Sequence, residues 1–205
     1  MSKFISTTFG KISGRHGTAV AADYHGNSIL KVFTPPANPR SPKQVAHRAK
    51  FAFLVKTLRP FAPVFRKTFG SGPRGTGKGF SMAFREAVTG EAPNFSINWS
   101  NVVLSSGSLL SPLPVNLSLA NGNQVTVTWD ATLYNAANPN DEVSLVVLNE
   151  STRALIFFNA RALRSEETFT FNLPVNWEGV VLHVWLFLTN VSQTQFTDSV
   201  YMVLD

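Results

Sequence analysis

Val180-Val181-Leu182-His183-Val184-Trp185-Leu186-Phe187-Leu188-Thr189 is the stretch on which the fold turns. It lacks glycine and proline, is rich in β-branched and aromatic residues, and is strand-sized. In a strand, successive side chains point to opposite faces. Leu182, Val184, Leu186 and Leu188 therefore share one face, and Val181, His183, Trp185 and Phe187 share the other. An antiparallel sheet commonly leaves one face to water. Here both faces are apolar, so the second must be covered. Residues 143–148 show the same trait. Either a helix expected at 42–59 or another subunit lies on that sheet. In the second case Val181, His183, Trp185 and Phe187 form a subunit interface.

Outward from this run, the second half reads as strands throughout. They are expected near 101–105, 115–120, 124–129, 143–149, 154–159, 167–173, 180–189 and 198–204. Val125, Val127 and Trp129 alternate with Thr126 and Thr128, and Phe169 and Phe171 with Thr168 and Thr170. Asn121-Gly122 is a hairpin signal. Short strands at this spacing point to an immunoglobulin-like or fibronectin-like antiparallel β-sandwich, with a tryptophan on an early strand. No cysteine is present, which excludes disulfides and thiolate metal sites.

The first half is different. Gly10, Gly14 and Gly17 break the chain at short intervals. Two β-like runs, 18–24 and 28–33, flank a turn at His25-Gly26-Asn27. Residues 34–41 hold three prolines and read as an extended strap. Ser41-Pro42-Lys43-Gln44 is a helix start: a capping serine, proline at the first helical position, and glutamine reaching back to the cap. The helix should run to Arg59 and stop at Pro60, with Val45, Phe51, Ala52, Leu54, Val55 and Leu58 on one broad face. A second helix is expected from Phe80 to Val88. The fold class is thus mainly β with one or two helices. A basic hairpin, strap and helix in residues 1–100 precede an acidic sandwich in residues 101–205.

Charge follows the same division. Residues 1–100 carry 15 of the 18 Lys+Arg and three acids, a balance of +12. Residues 101–205 carry three arginines and nine acids, a balance of −6. Such a dipole calls for an acidic partner at the front half or for contact between copies. The contact candidates are Lys3, Lys11, Arg15, Lys31, Arg40 and Lys43, then Arg48, Lys50, Arg66, Lys67, Arg74 and Lys78. They are interleaved with aromatic residues, as a surface for phosphates and unpaired bases would be. Charged residues make up only 15% of the chain, against roughly 25% in soluble domains, and there are 17 phenylalanines. Either much of the surface is covered, other subunits being a candidate, or the chain is a compact β-rich domain with a Ser/Thr/Asn surface.

Catalytic signals are weak. Gly72-Pro73-Arg74-Gly75-Thr76-Gly77-Lys78-Gly79 nearly matches a phosphate-binding loop, but Gly79 stands where Ser or Thr must hold magnesium. No buried strand is expected before it, and it reads as a flexible basic loop. The four histidines have no metal-ligand spacing, and the carboxylates of the second half are scattered over loops. No catalytic residue, metal or cofactor is expected. The N-terminus has no apolar run of signal-peptide length, and no segment approaches the roughly 20 apolar residues of a membrane span. Synthesis in the cytoplasm is the expectation.

Two segments carry a resemblance: Gly10-Lys11-Ile12-Ser13-Gly14-Arg15-His16-Gly17, and Ser41-Pro42-Lys43-Gln44 continuing through Arg48 to Phe51. With the Trp129 strand and Leu173-Pro174-Val175-Asn176-Trp177, they resemble an uncharacterised Bacteroidota family of unknown function over nearly the whole chain. The resemblance implies a fold and no activity. The function expected is that of a non-enzymatic structural protein, assembling into a phage-like virion or a filament as a homo-oligomer or multi-subunit body. Nucleic-acid binding through residues 1–80 is the alternative. A carbohydrate- or protein-binding sandwich module, using loops such as 134–141, is the third.

Overall fold

The structure, a computed structural model, describes residues 2–3, 13–25, 27–35, 37–38, 40–70, 72–120, 123–133 and 137–204. Backbone contacts divide the chain into two compact units, Met1–Ser41 and Pro42–Asp205. The expected boundary near residue 100 falls inside the second unit.

The first unit is a four-stranded antiparallel sheet. Its strands are β1 (Ser2–Lys3), β2 (Gly14–His16), β3 (Ala19–Tyr24) and β4 (Asn27–Val32), in the order β1-β4-β3-β2. The expected hairpin is β3-β4, closed by the pair Tyr24 and Asn27. Gly10, Lys11 and Gly26 lie outside the described residues.

The second unit opens with three helices: α1 (Pro42–Leu58), α2 (Ala62–Thr68) and α3 (Pro73–Glu86). A hairpin follows, β5 (Val88–Glu91) with β6 (Asn94–Ile97). Seven strands complete the chain: β7 (Val115–Ala120), β8 (Gln124–Trp129), β9 (Glu142–Asn149), β10 (Leu155–Leu163), β11 (Thr168–Asn172), β12 (Leu182–Thr189) and β13 (Val200–Leu204). They form two antiparallel sheets, β10-β9-β12-β13 and β11-β8-β7. The first, second and fifth strands of the domain thus make one sheet, and the other four make the second. This is a fibronectin type III or immunoglobulin-like sandwich. The strand expected at 101–105 is absent: a short 3₁₀ turn, Trp99–Asn101, leads into irregular chain that carries the buried Val102 and Leu104.

The run that decided the fold is β12, and every residue of it is buried. Leu182, Val184, Leu186 and Leu188 meet Val125, Val127, Trp129 and Phe171 in the core between the sheets. Trp185 and Phe187 belong to a second core, with Val146 and Leu148 of β9 and with Leu54, Leu58, Phe61 and Phe65 from the helical segment. Phe61 meets Trp185 edge-on, ring centroids 5.4 Å apart, and the Trp185 indole N–H donates to the Val102 carbonyl at 2.9 Å. The second unit is therefore three layers: helices, sheet, sheet. The expectation of a subunit interface at Val181, His183, Trp185 and Phe187 is corrected accordingly. The chain's own helices cover Trp185 and Phe187 completely, His183 is buried, and Val181 is half-buried.

The helical layer differs from its expectation in two places. Gly72 to Gly79 is not a flexible loop, because α3 begins at Pro73. Proline suits a helix start, and two of the glycines, Gly75 and Gly79, serve close packing. A Cβ on Gly79 would lie 2.5 Å from the Phe65 ring, and one on Gly75 would lie 2.0 Å from the Gly70 carbonyl oxygen. Pro60 ends α1 but not the helical path, which passes through a 3₁₀ turn, Arg59–Phe61, into α2.

Candidate interaction surface

The helices position the cations of the second unit. Between Pro42 and Glu86 stand ten Lys+Arg and one acid, Glu86. The inner side of α1 is fixed on the core by Leu54 and Leu58. Phe53 packs against the same core, but Val45 and Phe51 do not join it, being 51% and 48% exposed. The broad apolar face expected of this helix is thus split between core and solvent. Lys43, Arg48, Lys56 and Arg59 are exposed around Val45 and Phe51, and Lys50 lies with its ammonium 4.6 Å over the Phe84 ring of α3. Arg66, Arg74 and Lys78 are exposed on α2 and α3, Lys78 lying 5.2 Å over Phe69. The outcome is a layer whose inner side is apolar and whose outer side is cationic.

In the first unit Arg15 pairs with Val20, and Val20 with Lys31, so these three residues stand in one cross-strand row. Arg15 and Lys31 are exposed. The Arg15 guanidinium lies 3.9 Å over Phe33, and its Nε donates to the Gly17 carbonyl. Lys3 stands opposite Ile29 in the same sheet, Arg40 is exposed with a positive φ of 47°, and Lys11 lies outside the described residues.

Three polar clusters were not apparent from sequence. First, Arg164 and Asp141 are both buried and joined at 3.1 Å, Nε to carboxylate. Arg164 also donates to the Leu110 carbonyl at 2.7 Å, Asp141 accepts from the Asn138 backbone N–H, and the Trp129 indole donates to the Arg164 carbonyl. This latch ties the loop before β9 to the end of β10. Second, His183 shares a 2.8 Å hydrogen bond with the Tyr201 hydroxyl, lies tilted against Trp99 with ring centroids 5.3 Å apart, and has Nε2 3.8 Å from the Glu150 carboxylate. Third, a bulge in β10 around Ala160, whose φ is 49°, re-aims the strand, and Asn159 accepts a hydrogen bond from the Lys67 ammonium. Burial lowers the Lys67 pKa, with the Glu142 carboxylate opposing that shift. Apart from the Asn138–Asp141 bond, these partners lie 18 to 92 residues apart in the chain, and no local pattern announces them.

Among the described residues, no group of three or more His, Asp or Glu side chains is placed to hold a metal ion. No described helix is long and apolar enough to cross a membrane. The near-match to a phosphate-binding loop lacks the strand that such a loop follows, as expected: a helix, α2, precedes Gly72.

The sequence matches the model of a family described as a family of unknown function, DUF6266, over residues 11–203. The chain belongs to this family. No curated protein matches it. Solved structures similar to its β-rich half include a myokine structure, with 14% identity, 48% of this chain and 97% of that one covered, and a TM-score of 0.37. The fn3 domain of human contactin 1 shares 8% identity, with 49% and 82% covered and a TM-score of 0.36. A segment of two fibronectin type III domains from chicken tenascin shares 12%, with 58% and 61% covered and a TM-score of 0.34.

Proposed function

We propose that this member of the family is a non-enzymatic structural protein that self-associates or docks in a larger particle, such as a phage-like virion or a filament. The observation that carries the reading is the sorting of charge by layer within the Pro42–Asp205 unit. The helical layer holds ten cations, all but Lys50 and Lys67 exposed, to one acid, while residues 101–204 hold three arginines and eight acids. Surfaces of opposite sign on one compact unit favour contact between the helical layer of one copy and the sandwich of the next. Exposed Val45 and Phe51 give that contact an apolar centre. The basic residues of Met1–Ser41 strap onto the adjacent copy. The helix motif from Ser41 to Phe51 supports placing the chain among Bacteroidota members of the family.

A second reading, nucleic-acid binding through residues 1–80, is favoured by the row of Arg15 and Lys31 with Phe33 under the guanidinium. Mass photometry of nucleic-acid-free protein across a salt series tests the two. Assembly gives oligomers without nucleic acid. A protein that stays monomeric, and binds DNA or RNA with an affinity falling log-linearly with salt, is the second case.

A further inference from the structure

The Lys67 cluster opens onto a cleft of about 400 Å³ that the assembly reading does not use. Its walls come from the end of α2 at Lys67 and Thr68, the loop 106–108, and the turn Gln193 to Phe196 after β12. We propose that this cleft binds a small, uncharged, hydroxyl-rich molecule, a monosaccharide or polyol.

The lining carries both donors and acceptors. The hydroxyls of Ser106 and Ser108 and the carboxamide of Gln195 have no hydrogen bond to any described residue. Each can both donate and accept, which is what a ligand with vicinal hydroxyls requires. Lys67 supplies a directed cationic donor, held in place by Asn159. Gln193 is fixed too, its Nε2 donating to the Glu142 carboxylate at 2.9 Å. Phe196 gives the cleft an apolar patch. The floor is a close backbone approach, for a Cβ on Gly107 would lie 2.1 Å from the Phe196 carbonyl oxygen. The Gly107 N–H is committed to the Asp198 carboxylate at 3.1 Å, so it is not available to an anion. With Glu142 near Lys67 and Asp198 at the loop, the surroundings carry two carboxylates to one ammonium, which disfavours phosphate and carboxylate ligands. A cleft this polar disfavours an apolar one. Preformed clefts of this size, with convergent polar groups, suit a single small ligand.

The test is an amide NMR titration of the full chain with glucose, N-acetylglucosamine, glycerol, acetate and inorganic phosphate. The expected result is saturable movement of the amides of residues 106–108 and 193–196 with at least one sugar or glycerol, at a Kd on the order of millimolar. Lys67→Met, and separately Ser106→Ala with Ser108→Ala, should weaken that Kd by about tenfold with an unchanged circular dichroism spectrum. The serine pair is exposed, so that variant folds even if Lys67→Met does not. No saturable movement of these amides with any sugar or glycerol would overturn the proposal, as would binding that survives the serine variant. Saturation by phosphate or acetate alone would overturn the ligand class.

Discussion

Gly75 and Gly77 stand two residues apart in α3, and their surroundings call for opposite responses to alanine. Both sit inside a helix, where Gly→Ala is worth up to about 1 kcal/mol on propensity alone. Gly77 has open space around its missing Cβ, so Gly77→Ala should stabilise by up to about that amount. Gly75 has the Gly70 and Phe65 carbonyl oxygens at 2.0 and 2.7 Å from a built Cβ, so Gly75→Ala should destabilise by about 1–3 kcal/mol. Urea unfolding of the two variants separates the effects, and equal shifts would contradict the packing of α3 on α2. In the sequence these glycines looked like a loop, because composition cannot distinguish glycine chosen for flexibility from glycine chosen for closeness. The same limit hid the buried latch, whose partners are far apart in the chain. Asp141→Ala leaves the Arg164 guanidinium buried without its counter-ion and should cost about 3–5 kcal/mol. Lys67 gives a pH test. Its folded pKa lies below the ordinary lysine value of 10.5, chiefly because burial desolvates the ammonium. Between the two values the unfolded chain holds a proton that the folded chain has released, so stability should rise with pH in that window. Lys67→Met should flatten the rise in a series of urea melts on the alkaline side of neutrality.

At the scale of elements, the helical layer and the sheet it covers are one structure. Trp185 and Phe187 face the helices, and burial of each contributes roughly 1.5–3 kcal/mol. A fragment of residues 42–205 should therefore melt in one cooperative transition. A fragment of residues 101–205 should retain β circular dichroism but bind a hydrophobic dye and self-associate, since Val146, Leu148, Trp185 and Phe187 lose their cover. A dye-silent, monomeric short fragment would mean that the helices contribute little. The strands were legible because period-2 alternation is a local property, as in Val125-Thr126-Val127-Thr128-Trp129. The need for cover was legible from two apolar faces on one strand. The helix expected at 42–59 does supply part of that cover, through Leu54 and Leu58, but the share of α2 was not legible, because α2 is short, has prolines at its start and carries two basic residues directly after Val64-Phe65. The β5-β6 hairpin was missed for a similar reason: two four-residue strands are too short to show a period.

At the scale of the molecule, the charge sorting seen along the sequence becomes, within Pro42–Asp205, a sorting between layers. That step needs the fold, since a charge run in sequence does not say which face it will occupy. Here the core residues of the helices, Leu54, Leu58, Phe61 and Phe65, turn inward onto the sheet, and the lysines and arginines other than the half-buried Lys50 and Lys67 are left outward. Exposed pairs contribute little singly, about 0–1 kcal/mol, and act through number. The most direct test of assembly is mass photometry of nucleic-acid-free protein from low to high salt, repeated with Arg48, Lys56 and Arg59 of α1 reversed to Glu. The account predicts oligomers at low salt that dissociate as screening shortens to about 8 Å near physiological ionic strength, and a reversed variant that stays monomeric throughout. A wild-type protein that is monomeric at every salt concentration would contradict it.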